Sequence, residues 1–191
     1  YNLGTVYSAM SDHARAEAVY RRALAYKPDF LQARLNLGHQ LEQLGRKEDA
    51  LQAWRVIGEN EQAGDSVGAD PLELRLHALR NMARLLEQER RYAESEQVMR
   101  QSLQLRADQS DVLQHYVHIR QKQCEWPVYQ PVGEVTLNQL LTSTSLLAML
   151  GLSDDPALQL LSAQRFVSEK VVKYKDKPFH RRFGPARLGT T

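Results

Sequence analysis

Leu3-Gly4 returns 34 residues later as Leu37-Gly38, Ala16 returns as Ala50, and Tyr20 is answered by Trp54. One such unit cannot bury its apolar face alone, so the units must stack. Within the first unit, Leu3, Gly4 and Tyr7 are spaced for one helical face, and Ala16, Tyr20 and Ala23 for another. Small Gly4 and Ala16 allow the two helices to approach, and Tyr7 and Tyr20 fill the space beside them. Pro28 ends the hairpin, because it has no N–H and disfavours helix in the residue before it.

The second unit runs through Leu37, Gly38, Leu41, Ala50, Trp54 and Ile57, with Gly45 in its inter-helix turn, where a left-handed backbone is least costly. Met82, Ala83, Leu86, Ser95, Met99 and Ser102 keep the same internal spacings, but 45 residues on instead of 34. The excess is an insertion at about 58–70, Gly-rich and polar, which reads as a surface loop. Asp70-Pro71 with Glu73 then predicts a helix start: an N-cap, a first-turn proline and a capping-box acid. Leu113, Tyr116 and Ile119 open a fourth helix, after which the pattern stops at Cys124. Leu137 to Leu152 is a further apolar stretch, predicted helical around a polar Thr142-Ser143-Thr144-Ser145 centre. Asp154-Asp155-Pro156 marks a strong helix start, with Asp155 as cap and Pro156 as first residue. Leu160, Ala163, Val167, Val171 and Tyr174 then share a face. The capping element that a solenoid end requires is expected from the segment after the fourth helix.

The period and the offsets of small and bulky residues resemble the tetratricopeptide repeat. The implied fold is all-α, a right-handed superhelix of helical hairpins followed by a helical junction. Residues 1–120 would be the repeats, 121–177 a helical junction, and 178–191 a basic linker. Beginning at Tyr1, inside a repeat and without Met, the chain reads as a fragment of a longer protein.

The residue before each Leu-Gly pair is Asn2 in the first repeat, Asn36 in the second and, at the equivalent place, Asn81 in the third; in the fourth helix it becomes His115. A column of carboxamides offers donors and acceptors that match a peptide backbone whatever its side chains are. The same residues would equally serve to cap or bridge neighbouring helices. These four are the candidate peptide-binding residues, and no catalytic or metal-binding residue is assigned. His115 and His118 lie three apart on one helix, but neither they, His77 nor His180 shows a His-x-x-x-His pair with a carboxylate in place. Cys124 beside Glu125 has no activating neighbour and reads as a packing residue. No phosphate loop, nucleophile elbow or catalytic carboxylate pair is present.

Apolar residues at 42% and charged residues at 25% suit a soluble chain, and no apolar run reaches the roughly 18–20 residues of a membrane span. A single cysteine points to a reducing compartment, so a cytoplasmic location is expected. Residues 1–164 carry 17 Lys/Arg against 21 Asp/Glu, whereas residues 165–191 carry 8 against 2. That basic end has neither zinc-finger spacing nor an aromatic-and-glycine RNA-binding motif, so neither nucleic acid nor membrane is expected as a partner.

The run Arg120-Gln121-Lys122-Gln123-Cys124-Glu125-Trp126, followed about thirty residues later by Leu150-Gly151-Leu152-Ser153-Asp154-Asp155-Pro156-Ala157-Leu158-Gln159-Leu160, is the most specific part of the chain. In that order, after the repeats, it resembles the junction of bacterial O-linked N-acetylglucosamine transferase-like proteins of the SPINDLY type, glycosyltransferase family 41. The resemblance implies a parent enzyme that moves a sugar from UDP-GlcNAc or GDP-fucose to Ser or Thr of proteins. Its repeats would recruit the polypeptide acceptor along Asn2, Asn36 and Asn81, and His115 would mark the end of that ladder. The resemblance also implies that the 121–177 junction leads to a missing catalytic domain carrying the donor site, and nothing in this chain matches it. The alternative is a free-standing tetratricopeptide scaffold whose Asp-Asp-Pro helix caps the stack.

Overall fold

The computed structural model describes residues 1–59 and 70–168. The core of the expected insertion, the Val171–Tyr174 end of the last apolar face, His180 and the basic linker therefore lie outside the described residues. The chain divides into two compact units, Tyr1–Ser143 and Thr144–Thr191.

The first unit is a stack of helical hairpins. The first hairpin is α1 (Asn2–Ala9) with α2 (His13–Tyr26), the second α3 (Leu31–Gln43) with α4 (Lys47–Gly58), and the third α5 (Pro71–Gln88) with α6 (Tyr92–Leu105). A fourth first-helix, α7 (Ser110–Lys122), follows, and then the short α8 (Leu137–Ser143). Each helix from α1 to α7 packs on the next, and α3 also touches α5 directly. The α1, α3, α5 and α7 helices thus form one layer, and α2, α4 and α6 the other.

The spacing inside the first two hairpins is set by a glycine against a ring. A Cβ on Gly4 would sit 2.7 Å from the Tyr20 ring, and one on Gly38 would come within 2.6 Å of Cε2 of Trp54. Both rings are buried, and Trp54 donates its indole N–H to the Leu35 carbonyl at 3.1 Å. Two of the expected core positions behave differently at the end of the stack: Leu3 is 55% exposed and Tyr7 half-buried, with Arg15 over its ring at 5.8 Å. Their equivalents Leu37 and Leu41 are buried because the first hairpin covers them.

The turns repeat as faithfully as the helices. Ser11, Gly45, Arg90 and Cys124 all take a left-handed backbone, with φ of 59°, 76°, 59° and 56°. They are equivalent positions, so Cys124 is the turn of a fourth repeat whose second helix does not form. Instead, residues 125–136 fold back over α7. Val128, Val132 and Val135 are buried, and Val132 pairs with Val135 around Gly133. Arg120, 4% exposed where the earlier repeats have Tyr7, Leu41 and Leu86, holds this segment. It donates to the Pro127 carbonyl at 2.9 Å and the Val128 carbonyl at 3.2 Å, and pairs with Glu96. The Tyr116 hydroxyl adds a bond to the Gln130 carbonyl at 3.3 Å. With α8 packed on α7, this segment is the closing element that the end of the stack requires.

Helix starts follow the expected chemistry with one correction. Asp70 accepts from the Leu72 amide and Asp155 from the Ala157 amide, each just before a first-turn proline. Glu73 makes no capping box; its carboxylate accepts from Arg106 at 2.6 Å, tying α5 to the end of α6. The Leu137–Leu152 stretch is not one helix. Thr144 breaks it, and Ser145 caps α9 (Leu146–Leu152) by accepting from the Ala148 amide. In the second unit, α9 and α10 (Pro156–Phe166) are joined through Ser162, whose hydroxyl donates to the Thr144 carbonyl at 3.1 Å. The predicted face of α10 is largely open: Leu160 and Val167 are 58% and 50% exposed.

Two outcomes follow from these contacts. Gly38→Ala should lower the unfolding free energy by about 1–3 kcal/mol through overpacking against Trp54, read from the urea midpoint. Arg120→Met should cost about 3 kcal/mol by leaving half-buried Glu96 without its closest cation, and limited proteolysis should then cut first within 125–136.

Candidate functional site

The first-helix layer presents a polar stripe whose members reach from each hairpin to the one before. Asn36, half-buried on α3, donates from Nδ2 to the hydroxyls of Tyr1 at 3.2 Å and Tyr20 at 3.4 Å. Tyr1 is itself packed on Phe30 and Tyr20, with ring centroids 4.9 and 6.0 Å apart. Burial pushes the Tyr20 hydroxyl up from its ordinary pKa, and the bond from Asn36 acts in the opposite sense. Asn81, equally half-buried on α5, bonds through Nδ2 to Nε2 of His39 at 3.4 Å. The two carboxamides thus occupy equivalent places, and each is oriented by a group of the preceding hairpin.

The ends of the column differ. Asn2 is exposed in the first turn of α1, where its backbone carbonyl accepts from the Thr5 hydroxyl at 2.7 Å. His115 is exposed on α7, with Nδ1 3.6 Å from the Glu87 carboxylate. The four expected residues therefore fall on successive first helices, with the inner two embedded and the outer two open. Bridging between neighbouring helices is what the Asn36 and Asn81 side chains visibly do.

A second set of residues on the same layer went unread in the sequence. Gln40 donates to the Ser8 hydroxyl at 2.9 Å and bonds His13 Nδ1 at 2.9 Å. Arg84 reaches back to both oxygens of Glu42 at 2.7 and 2.6 Å. Lys122 reaches back to Glu87 at 3.1 Å, and Arg80 lies 3.6 Å from Asp111. Ser8, Glu42 and Glu87 are equivalent positions, so the recurrence of an acceptor there was the available signal. The second helices carry a parallel device at their starts. Arg46 binds Asp49 and Glu17, and Arg91 binds Glu94 and Glu48. These exposed pairs fix hairpin orientation more than they add stability.

His39 is the titrating member of the stripe. Its ring makes a T-shaped contact with the Trp54 ring at a centroid distance of 5.4 Å. Burial lowers its pKa below the ordinary 6.5; Glu42 opposes that shift, and Arg84 and His77 reinforce it. His118 on α7 is lowered in the same sense, again chiefly by burial. A neutral ring is also what the Asn81 bond requires, since Nε2 must accept from the amide. Among the described residues, no group of His, Cys, Asp or Glu is arranged to hold a metal ion.

A pocket of about 210 Å³ opens on the same layer between α5, α6 and α7, with His115 at its edge. Among the described residues no helix is long and apolar enough to cross a membrane.

Residues 1–57 and residues 78–113 each match a model of the tetratricopeptide repeat. No curated protein matches the chain. The first match spans the first two hairpins, and the second runs from α5 into the start of α7. Residues 1–57 and 78–113 are thus tetratricopeptide repeats, the described residues form an all-α helical solenoid with a helical segment after it, and repeats of this kind generally mediate protein–protein interaction.

His39 gives the site a pH signature. The unfolded chain takes up its proton near pH 6.5 and the folded chain only at lower pH. The associated stability is therefore complete above about pH 6.5 and is lost progressively as pH falls from there through the lower folded value. Urea midpoints measured from about pH 7.5 to 5 should fall with acidity. The fall should be smaller in His39→Gln, which keeps an acceptor for Asn81 and has no proton to gain.

Proposed function

We propose that the first-helix layer is a docking surface for an extended polypeptide, and that the chain is the acceptor-recruiting region of a protein O-glycosyltransferase. The docking part rests on one observation above all: Asn36 and Asn81 stand at equivalent places on α3 and α5, both half-buried and both held through the amide nitrogen by the hairpin before them. A carboxamide oriented from behind meets a ligand with little further loss of side-chain freedom, which favours binding. Bonds of 3.2–3.4 Å lie at or beyond the long end of the usual range, so a ligand carbonyl can draw the amide away at small cost. Asn2 and His115 extend the column on α1 and α7. Bridging and docking are compatible, because the first supplies the orientation that the second uses.

The transferase part is supported by the resemblance of residues 120–160. Two of its elements also have structural tasks: Arg120 anchors the closing segment, and Asp155 caps α10. In this reading UDP-GlcNAc or GDP-fucose is the donor and Ser or Thr of a bound protein is the acceptor. The donor-binding and catalytic residues belong to another part of the protein, and none is assigned here. The acceptor would be a cytoplasmic polypeptide held on the stripe.

A single variant pair tests both parts. In the 191-residue chain, Asn36→Ala with Asn81→Ala should weaken binding of captured peptides about tenfold, two lost backbone bonds at about 0.5–1.5 kcal/mol each, measured by fluorescence anisotropy. The pair should keep its helical circular dichroism. In the full gene product, the same pair should slow sugar transfer to protein acceptors and leave donor hydrolysis unchanged. Unaltered peptide affinity would dismiss the docking part; no transfer from either donor by the unmodified gene product would dismiss the transferase part alone.

A further inference from the structure

The pocket between α5, α6 and α7 exists because the third repeat is under-filled. Tyr20, Trp54 and Met99 are equivalent positions, as are Ala23, Ile57 and Ser102, and Gly4, Gly38 and Ala83. In the second repeat Trp54 and Ile57 are wholly buried, and the Trp54 ring occupies the space beside Gly38. In the third, a thin thioether and a short hydroxyl stand in their places. The facing residue has changed in step: glycine where a ring must lie, alanine where methionine lies.

The space left over has a dry floor and a neutralised mouth. Leu79, Ala83, Met99 and Val112 line it at 2–6% exposure. The Ser102 hydroxyl is turned to Gln109, donating to Oε1 at 3.2 Å. At the rim, Arg84 is held by Glu42, Arg80 faces Asp111, and Glu87 faces Lys122 and His115. Cations and carboxylates there answer one another, so a charged ligand group would have to break an existing pair, and an uncharged one breaks none. An apolar cavity of about 150 Å³ admits a benzene ring, and this one measures about 210 Å³. It opens beside His115, the ladder position of α7, so it lies where a chain on the asparagine stripe would pass.

We propose that this pocket receives one uncharged apolar side chain, of leucine to phenylalanine size, from an extended polypeptide lying along the first helices. The proposal rests on the docking reading above and adds to it the selectivity that a carboxamide column lacks. The backbone bonds hold any sequence; the pocket chooses those with a large apolar residue at one place. Burying such a side chain is worth about ten- to a hundredfold in affinity.

Random 12-residue peptides displayed and selected on the 191-residue chain provide the probe. The selected peptides should share one large apolar residue, and its replacement by alanine should weaken binding at least tenfold. Two filled variants serve as comparison. Ala83→Gly with Met99→Trp restores the pairing of the second repeat, and Val112→Phe fills the space from the opposite wall. Whichever variant keeps the helical circular dichroism should bind the parent and alanine peptides equally. In chain labelled at the methionine methyls, N-acetyl-phenylalaninamide should shift the Met99 resonance and leave Met10 in place. Peptides that depend on Asn36 and Asn81 but show no apolar preference, or a preference that survives in the filled variants, overturn the pocket and leave the docking surface standing. Failure to select any peptide, with no shift at Met99, overturns both.

Discussion

The stack depends on the contact between a bare backbone and a flat ring. At Gly4 and Gly38 the first helix comes so near its partner that even a methyl group would overlap Tyr20 or Trp54. This closeness sets the hairpin width, and the width sets where the next hairpin can rest. It also lifts Leu35 and Trp54 into hydrogen-bonding distance deep in the core, so the indole N–H is satisfied without water. The polar stripe stands on this base: the His39 ring makes its T-shaped contact with Trp54, and Asn36 meets the Tyr20 hydroxyl. Core and surface are thus one construction, with each ring buried in the core and in contact with a member of the stripe.

Period made most of the helices legible. Apolar offsets placed α1 to α7, and Asp-Pro pairs placed the starts of α5 and α10, because caps and periodicity are local chemistry. What stayed hidden was whatever depends on a neighbour distant in the chain. Only Gly45 announced its left-handed turn; Ser11, Arg90 and Cys124 take the same conformation because the packed helices on either side demand it. Cys124 in particular ended the repeat by sequence and read as a packing residue, but it is the exposed turn of a fourth repeat whose second helix does not form. Glu73 was drawn from its own helix start by Arg106, thirty-three residues away. Arg120 sat at a position of apolar spacing, and its burial could not be foreseen without the carbonyls of Pro127 and Val128 beside it. The recurrence of Asn2, Asn36 and Asn81 on successive first helices was readable, and bridging to a neighbouring helix was one of two roles open to them; which groups of the preceding hairpin they lean on was not.

The same geometry explains how a repeated frame acquires a particular use. Where the repeats agree, they supply scaffold: left-handed turns, arginines at the starts of α4 and α6, small residues at helix crossings. Where they differ, they supply character. Arg120 in place of leucine stops the stack, by exchanging an apolar contact for a set of bonds that only an irregular segment can accept. Met99 in place of tryptophan opens a space on the stripe. Each departure lies at positions whose role the other repeats define, so its consequence can be read by comparison within the chain.

The ladder and the bridge need not compete, and the bond lengths say why. A carboxamide locked at short range to its neighbour would be a structural residue only, since a ligand would have to break a full-strength bond to reach it. A carboxamide with no neighbour would be free to rotate, and each binding event would then lose that freedom. Asn36 and Asn81 lie between these limits, half-buried and held at 3.2–3.4 Å. Their partners are hydroxyls and a neutral imidazole, none carrying a full charge that would fix the amide in place. Such a group is oriented and still exchangeable, which is what recognition of a polypeptide backbone asks of a side chain. Protonating His39 would remove the acceptor that holds Asn81, so the same ring that steadies the stack at neutral pH also decides how firmly the Asn81 amide is held.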